Sequence, residues 1–265
     1  MTHTYFVTGI GTDVGKTVAS AILTEALEAD YWKPIQAGDL SNSDTHKVER
    51  WVNNSETKFF DSAFNLKTPM SPHAAAEIDG ITLSKSKVKR PKTSKNLVIE
   101  GAGGLLVPIS NTQTIADLIS KKDRVVVVSR HYLGSINHTL LTIESLRAKG
   151  LEVFGIIFNG PSAKTTEDII TRMTKVPVIG RIENEPYIDS HVVKEYAEKF
   201  EVEYWEYERP WKVKCDVVLP CATQNEVNGK EAEMLINNGC ICVAEGANMP
   251  SGPDAVDVYL KKKIL

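Results

Sequence analysis

Gly9, Gly11, Gly15, Lys16 and Thr17 stand in one short stretch, residues 5–17 (YFVTGIGTDVGKT), whose order of parts suits a bound triphosphate. The glycines permit a tight path that aims successive backbone N–H groups at one point. A helix opening near Gly15 adds its positive end. Lys16 can then reach the β- and γ-phosphates, and Thr17 can offer its hydroxyl to magnesium. The consensus GxxxxGK[ST] places its first glycine where this chain has Ile10, so the turn runs through Gly9 and Gly11 instead. Gly11, Thr12, Asp13, Val14, Gly15, Lys16 and Thr17 thus form a candidate phosphate-binding loop, or P-loop, of variant spacing. The competing reading is a glycine-rich strand-to-helix turn with a surface lysine.

Two carboxylates bear on the same chemistry. Glu100 directly follows Leu97, Val98 and Ile99, where an acidic side chain is poorly placed unless paired or ligated. Facing the loop from the top of a parallel sheet, it is positioned to hold magnesium directly or indirectly. Gly101, Gly103 and Gly104 behind it let a substrate or phosphate approach the backbone. Asp44 ends a polar turn with Asn42 and Ser43, before a helix expected to begin at Thr45. Its carboxylate can serve magnesium or cap the helix, and the residues leave both open. The histidines show no HxxxH or His/Cys spacing, so zinc is not expected.

The elements that must position these groups are legible as near-continuous apolar runs at 5–8, 97–100, 124–129, 153–158 and 176–182. Such runs are expected of strands covered on both faces. Helix candidates lie at 114–120, 136–149 and 167–174. This rhythm predicts an α/β fold, a mostly parallel sheet with helices on both faces, and active groups at the carboxyl ends of the strands. The candidate groups do fall there: 8–17, 100–104, then Ser129, Arg130, Gly134 and Asn137, and lastly Asn159, Gly160 and Pro161.

A net charge of −3 and a pI near 6.1 predict no electrostatic pull on nucleic acid or anionic membrane. The basic stretch 85–95 reads as a solvated loop or helix end. No early segment has the order of a signal peptide and no apolar run is long enough to span a bilayer, which predicts a cytoplasmic, soluble protein. Cys215, Cys221, Cys240 and Cys242 all lie late and mark a change of character in the chain.

Residues 1–201 closely resemble the dethiobiotin synthetases. The resemblance rests on Val7-Thr8-Gly9, Gly11 to Thr17, Lys33-Pro34, Asn42-Ser43-Asp44, Ser71-Pro72-His73, Glu100-Gly101-Ala102-Gly103-Gly104, Gly134-Ser135-Ile136-Asn137-His138 and Asn159. The glycine spacing around Ile10 is that family's own. The resemblance implies a P-loop NTPase-like fold and closure of a cyclic urea from 7,8-diaminopelargonate, carbon dioxide and MgATP, releasing dethiobiotin, ADP and phosphate. It implies Lys16, Lys33 and Thr12 as catalytic residues, and Thr17, Asp44 and Glu100 as the magnesium set. Asn159 matches the family's base-recognising asparagine, and Glu183, Asn184 and Glu185 occupy the adenosine-side position with altered residues. Substrate-binding positions are Lys33, Ser71, Gly101, Ala102, Gly103, Gly104, Gly134, Ser135, Ile136 and Asn137, the last four taking the substrate carboxylate across a homodimer interface.

Residues 202–265 follow another pattern. Pro210-Trp211, Lys214-Cys215-Asp216, 219–226 (LPCATQNE) and 243–250 (VAEGANMP) resemble a fragment of the glutamate dehydrogenase nucleotide-binding domain. Strands at 213–219 and 240–243 and a helix at 230–236 are expected, a small α/β C-terminal appendage. The GxGxxG turn and the amino-acid-binding domain of that family are missing, so dehydrogenase activity is not expected. Two strands and a helix cannot bury their apolar faces alone. Rival readings of the whole are a P-loop switch or partitioning protein, which leaves Lys33, Ser71-Pro72-His73 and Asn137-His138 without a reason, and an NAD(P)-binding or assembly module contributed by the tail.

Overall fold

The computed structural model describes residues 2–183, 197–199, 201, 203, 209–220, 226–246 and 249–264. The chain divides into two compact units, Met1–Glu185 and Pro186–Leu265. In the first, β1 (Thr4–Gly9), β2 (Asp30–Trp32), β4 (Phe59–Phe60), β6 (Leu97–Gly104), β7 (Arg124–Arg130), β8 (Val153–Asn159) and β9 (Val178–Ile182) form one sheet. Their spatial order is β4-β2-β6-β1-β7-β8-β9, and every pairing is parallel. A separate parallel pair joins β3 (Ile35–Ala37) to β5 (Phe64–Leu66).

Alternate residues of each strand point to opposite faces, and both faces are covered. On one, Tyr5, Val7, Val98, Val126 and Val128 pack with Ala19 and Ala21 of α1 (Lys16–Ala26) and Val48 of α2 (Asp44–Trp51). On the other, Phe6, Ile99, Val125 and Val127 pack with Ala75 of α3 (Pro72–Ile78), Ile143 and Leu146 of α4 (Ser135–Ala148) and Ile170 of α5 (Lys164–Thr174).

Three expectations need correction. The segment 114–120 is not an α-helix but a single 3₁₀ turn, Ile115–Leu118. Ile115, Ala116, Leu118 and Ile119 are all buried, and the Ile115 and Ala116 N–H groups donate to Val107 and Leu105 instead of building a helix. Strand β6 runs on through Gly104, so Glu100 lies inside the strand, paired with Val7, and not at its end. In the second unit the strands shrink to Val217–Val218 and Cys242–Val243: the Asp216 carbonyl opens the ladder by accepting from the Cys242 N–H and also takes the Ile241 N–H, while Leu219 past the other end is left exposed.

That second unit is nonetheless α/β. Helix Gly229–Asn237 begins at a capping box made by Asn228 and Glu231, and a further helix unforeseen from sequence, Pro253–Lys262, follows. Trp211, Val218, Val227, Ala232, Leu235, Cys240, Val243, Ala255 and Tyr259 bury one another between them.

Candidate active site

The loop between β1 and α1 takes its shape from backbone that only glycine tolerates well. Gly15 has φ +93°, and a Cβ there would lie 2.3 Å from Asn159 Nδ2. Lys16 is 7 % exposed, and its Nζ donates to the Gly11 carbonyl at 3.0 Å, folding the side chain over its own loop. Burial pushes this ammonium down to about 8; Glu100 opposes that shift and Lys33 adds to it.

Glu100, 1 % exposed, is where the loop and the sheet meet. Its Oε1 accepts from Thr17 Oγ1 at 2.9 Å and from Lys33 Nζ at 2.9 Å, and its Oε2 accepts from Tyr31 OH at 2.9 Å. The geometry follows from register: β2 lies beside β6 with Tyr31 opposite Val98 and Trp32 opposite Ile99, which brings Lys33 level with Glu100. Tyr31 and Lys33 share a face by alternation. Burial, and then the adjacent Glu100 charge, push the Tyr31 hydroxyl well above its ordinary value, so it stays a donor.

Lys33 also donates to Asp44 Oδ2. Burial alone would lower the Lys33 ammonium, but Glu100 and Asp44 together raise it. Burial would likewise raise the Asp44 carboxyl, yet Lys33 holds it below the usual carboxylate range. Of the two readings left open for Asp44, the cap falls away: Ser43 caps α2, its Oγ accepting from the His46 N–H at 3.3 Å, while Asp44 is already the first helical residue. The Asp44 N–H is held by Gln36 Oε1 at 3.3 Å, and its carboxylate is free to face Lys33.

On the other side of the loop, Asn159 Nδ2 donates to the Val14 carbonyl at 2.9 Å and Arg130 Nη1 to the Asp13 carbonyl at 3.1 Å. Two adjoining clefts of about 430 Å³ each open in front. Thr12 and His138 line both; Asp13, Val14, Arg130 and Tyr132 line one, and Gly104 and Leu141 the other. Gly103 has φ +68°, and a Cβ on Gly104 would lie 3.4 Å from the Gly11 Cα, so the two glycine segments approach closely. Gly101 and Ala102 continue the same strand.

Gly134, φ +103°, precedes α4 with no side-chain cap; Ser135 is buried, Ile136 and Asn137 exposed. Ser71 lies at the start of α3, its hydroxyl 3.2 Å from His73 Nδ1, and is not in the Glu100 cluster. Glu183 is exposed beyond β9, whereas Asn184 and Glu185 lie outside the described residues. Sequence reading missed Tyr31, Gln36, Tyr132 and the cleft position of His138. Alternation from Lys33 back to Tyr31 was a signal for the first, and the Gly134 to His138 motif a signal for the last.

A parallel sheet of this order with a lysine-bearing glycine loop against a buried carboxylate defines a P-loop, ATP-binding α/β protein. A family model described as an AAA domain matches residues 3–192. The ATP-dependent dethiobiotin synthetase BioD of Christiangramia forsetii is 65% identical over 200 residues, covering 76% of this chain and 97% of that protein. That of Cytophaga hutchinsonii is 46% identical over 197 residues, covering 74% and 95%. The chain belongs to the ATP-dependent dethiobiotin synthetase family. Among solved structures, the septum site-determining protein MinD of Pyrococcus horikoshii, complexed with Mg-ADP, has a TM-score of 0.50 at 14% identity, covering 73% of this chain and 86% of that one, a likeness of fold. Residues 176–265 match a second model, described as Glutamate/Leucine/Phenylalanine/Valine dehydrogenase.

Proposed function

We propose that the chain is a working dethiobiotin synthetase, an ATP-dependent ligase of biotin biosynthesis, with residues 1–201 as its catalytic domain. It joins carbon dioxide to 7,8-diaminopelargonate and closes the cyclic urea of dethiobiotin, converting ATP to ADP and phosphate. The observation that carries this is a second buried ammonium, Lys33, at the end of β2 and bonded to the same Glu100 oxygen that meets Thr17 of the Lys16 loop. A nucleotide switch gives no reason for a lysine at this place.

One substrate amine adds to carbon dioxide and loses a proton, giving a carbamate. Its oxygen attacks the γ-phosphorus as the bond to ADP breaks. The second amine then attacks the carbonyl and gives up a proton, and phosphate leaves with the ring closed. Charge accumulates between two anions in the phosphoryl step, so fixed cations contribute most. Lys16 and the N–H groups of Gly11 to Thr17 hold the triphosphate, Lys33 and Thr12 the carbamate end. Ring closure needs chiefly proximity, which replaces roughly 7–11 kcal/mol of entropic and reorganisation cost.

The Asp44 and Glu100 carboxylates that share the Lys33 ammonium, and the Thr17 hydroxyl that meets Glu100, are hard oxygen donors and fit magnesium. When bound, that ion offsets charge on the β- and γ-phosphates. Asn159 serves the base, together with Glu183, Asn184 and Glu185. The substrate carboxylate is assigned to the start of α4, Gly134 to Asn137. Tyr132, Leu133, Ile136 and Leu141, all exposed around it, support a second copy covering this face, a working homodimer.

Incubation with diaminopelargonate, bicarbonate and MgATP should yield dethiobiotin and ADP, both read by mass. ATP turnover indifferent to the diamine would instead favour the switch.

A further inference from the structure

The site has two halves on different strands. Lys16, Thr17, Lys33, Asp44 and Glu100 belong to the β1, β2 and β6 side, while Asn159 and Arg130 end β8 and β7. Behind this second half lies a buried ionic cluster that no step of the chemistry uses. Glu167 of α5 is 8 % exposed, at a position where a core-facing helix residue is ordinarily apolar. Both its oxygens accept from the Arg181 guanidinium of β9. Its Oε1 also accepts from His131 Nε2 at 2.9 Å and from the Ala163 N–H at 3.1 Å. The Arg181 fork, chiefly, holds this carboxyl down to about 2.

An ion pair tying α5 to β9 would need only Arg181. The added partner, His131, is a wall residue of the cleft that Asp13, Val14 and Arg130 also line. Its imidazole stacks on Phe158 of β8, ring centres 5.4 Å apart at 21°, so the ring is fixed on one face and at its Nε2. The backbone carries the same linkage onward. The His131 N–H donates to the Asn159 carbonyl at 2.9 Å, and the Gly160 N–H to the Ile182 carbonyl at 2.9 Å, lacing the ends of β7, β8 and β9 together. Asn159 in turn holds the Val14 carbonyl of the loop.

We infer that Glu167, Arg181 and His131 are positioning residues for the nucleotide: the buried carboxylate clamps the cleft wall and the strand ends from which Asn159 reaches the loop. This rests on the reading of the cleft as the ATP site. Without the Glu167 charge, His131 Nε2 keeps at most a neutral acceptor and Arg181 loses its ion pair, so the hold on the His131 ring at the cleft wall and on β9 weakens. The Lys16, Lys33 and Glu100 group, two strands away, keeps its own contacts.

The test is Glu167→Gln and His131→Gln in the full chain, read by steady-state kinetics, by calorimetric titration of MgADP and by melting temperature. Each should raise KM for ATP and Kd for ADP by roughly five- to twentyfold, as loss of a charge-assisted contact does, with KM for diaminopelargonate and kcat within about twofold. Arg181→Lys, which keeps the charge but not the fork, should fall between parent and Glu167→Gln. A folded Glu167→Gln protein that binds ADP as the parent does would overturn the inference, as would kcat and both KM values moving together in step with lost stability. If Glu167→Gln does not fold, His131→Gln decides, since it leaves the Glu167 and Arg181 pair intact. A parent that binds no ADP would overturn the ATP reading beneath it.

Discussion

Strand β1 pairs along both edges, with β6 from Thr4 and with β7 from Tyr5, whereas the one ladder described in the second unit spans Val217–Val218 against Cys242–Val243. In the first unit Phe6, Val7, Val98, Val126 and Phe158 are buried on a sheet covered from both sides. In the second, Leu219 and Ile241 remain 64% and 70% exposed beside a small core. The difference separates local structure from structure that needs partners. A capping box and a helix's apolar stripe are set by nearby residues, but a parallel strand needs neighbours that arrive from elsewhere in the chain. Chemistry follows the same division, since every buried charge implicated above except the Glu167 cluster surrounds Glu100.

The largest expected contrast comes from removing charge in that group. Lys16→Met should lower dethiobiotin formation by about two to three orders of magnitude. Stability of the ligand-free protein should not fall with it. The drop from 10.5 to about 8 means that the folded state disfavours the ammonium by about 3 kcal/mol below pH 8, a penalty relieved as pH rises from about 8 to 10.5. Melting and product formation measured side by side would expose an error if both collapsed. Lys33→Met should behave oppositely, because it leaves Asp44 and Glu100 facing each other uncompensated. A loss of about 3–5 kcal/mol is expected on denaturant unfolding, along with turnover. A Lys33→Met protein as stable as the parent would mean that the buried carboxylates are not held by this ion pair.

A smaller effect should be visible without mutation. Lys16 must be protonated to meet the triphosphate, and kcat/KM reports the free enzyme. The kcat/KM for ATP should therefore decline as pH rises through about 8, while kcat persists to higher pH because bound phosphates favour the ammonium. At the acid end, Asp44 contributes stability that is present above 3.8 and lost as pH falls through its lower folded value. A flat kcat/KM profile across pH 7–9.5 would show that Lys16 is less desolvated than its 7 % exposure implies.

Most of the first unit was readable because a strand buried on both faces declares itself as an apolar run. The runs at 97–100 and 124–129 sit within β6 and β7, and the glycine loop lies between a strand and a helix as its order required. What escaped was whatever depended on partners. β2 and β4 are too short to show a period, yet β2 delivers Tyr31 and Lys33 to Glu100 through its register with β6. The 114–120 segment is apolar like a helix, but its N–H groups are claimed by residues 105 and 107. Residue types marked Asp44 as ambiguous, and only the Ser43 and His46 cap resolved it. Glu167 gave no sign, since its ion pair forms with a strand that follows in sequence and a loop that precedes it.

The smallest effect expected, and the one that bears most directly on the contrast between the units, is deletion of the second. A chain ending at Phe200 keeps β1 to β9, both buried faces and every residue of the Glu100 cluster. Its relative in C. forsetii aligns over 200 residues and 97% of its own length, so a body of this size suffices for the family. Turnover per active site should therefore stay within about twofold of the full chain, the range of a change that touches no reacting group. Exposed Val217, Leu219, Ile241 and Leu260 are the reason to measure oligomeric state in the same experiment, because apolar side chains of this kind invite association. If the shortened protein loses its soluble form or its activity, the second unit has become part of the enzyme's structure.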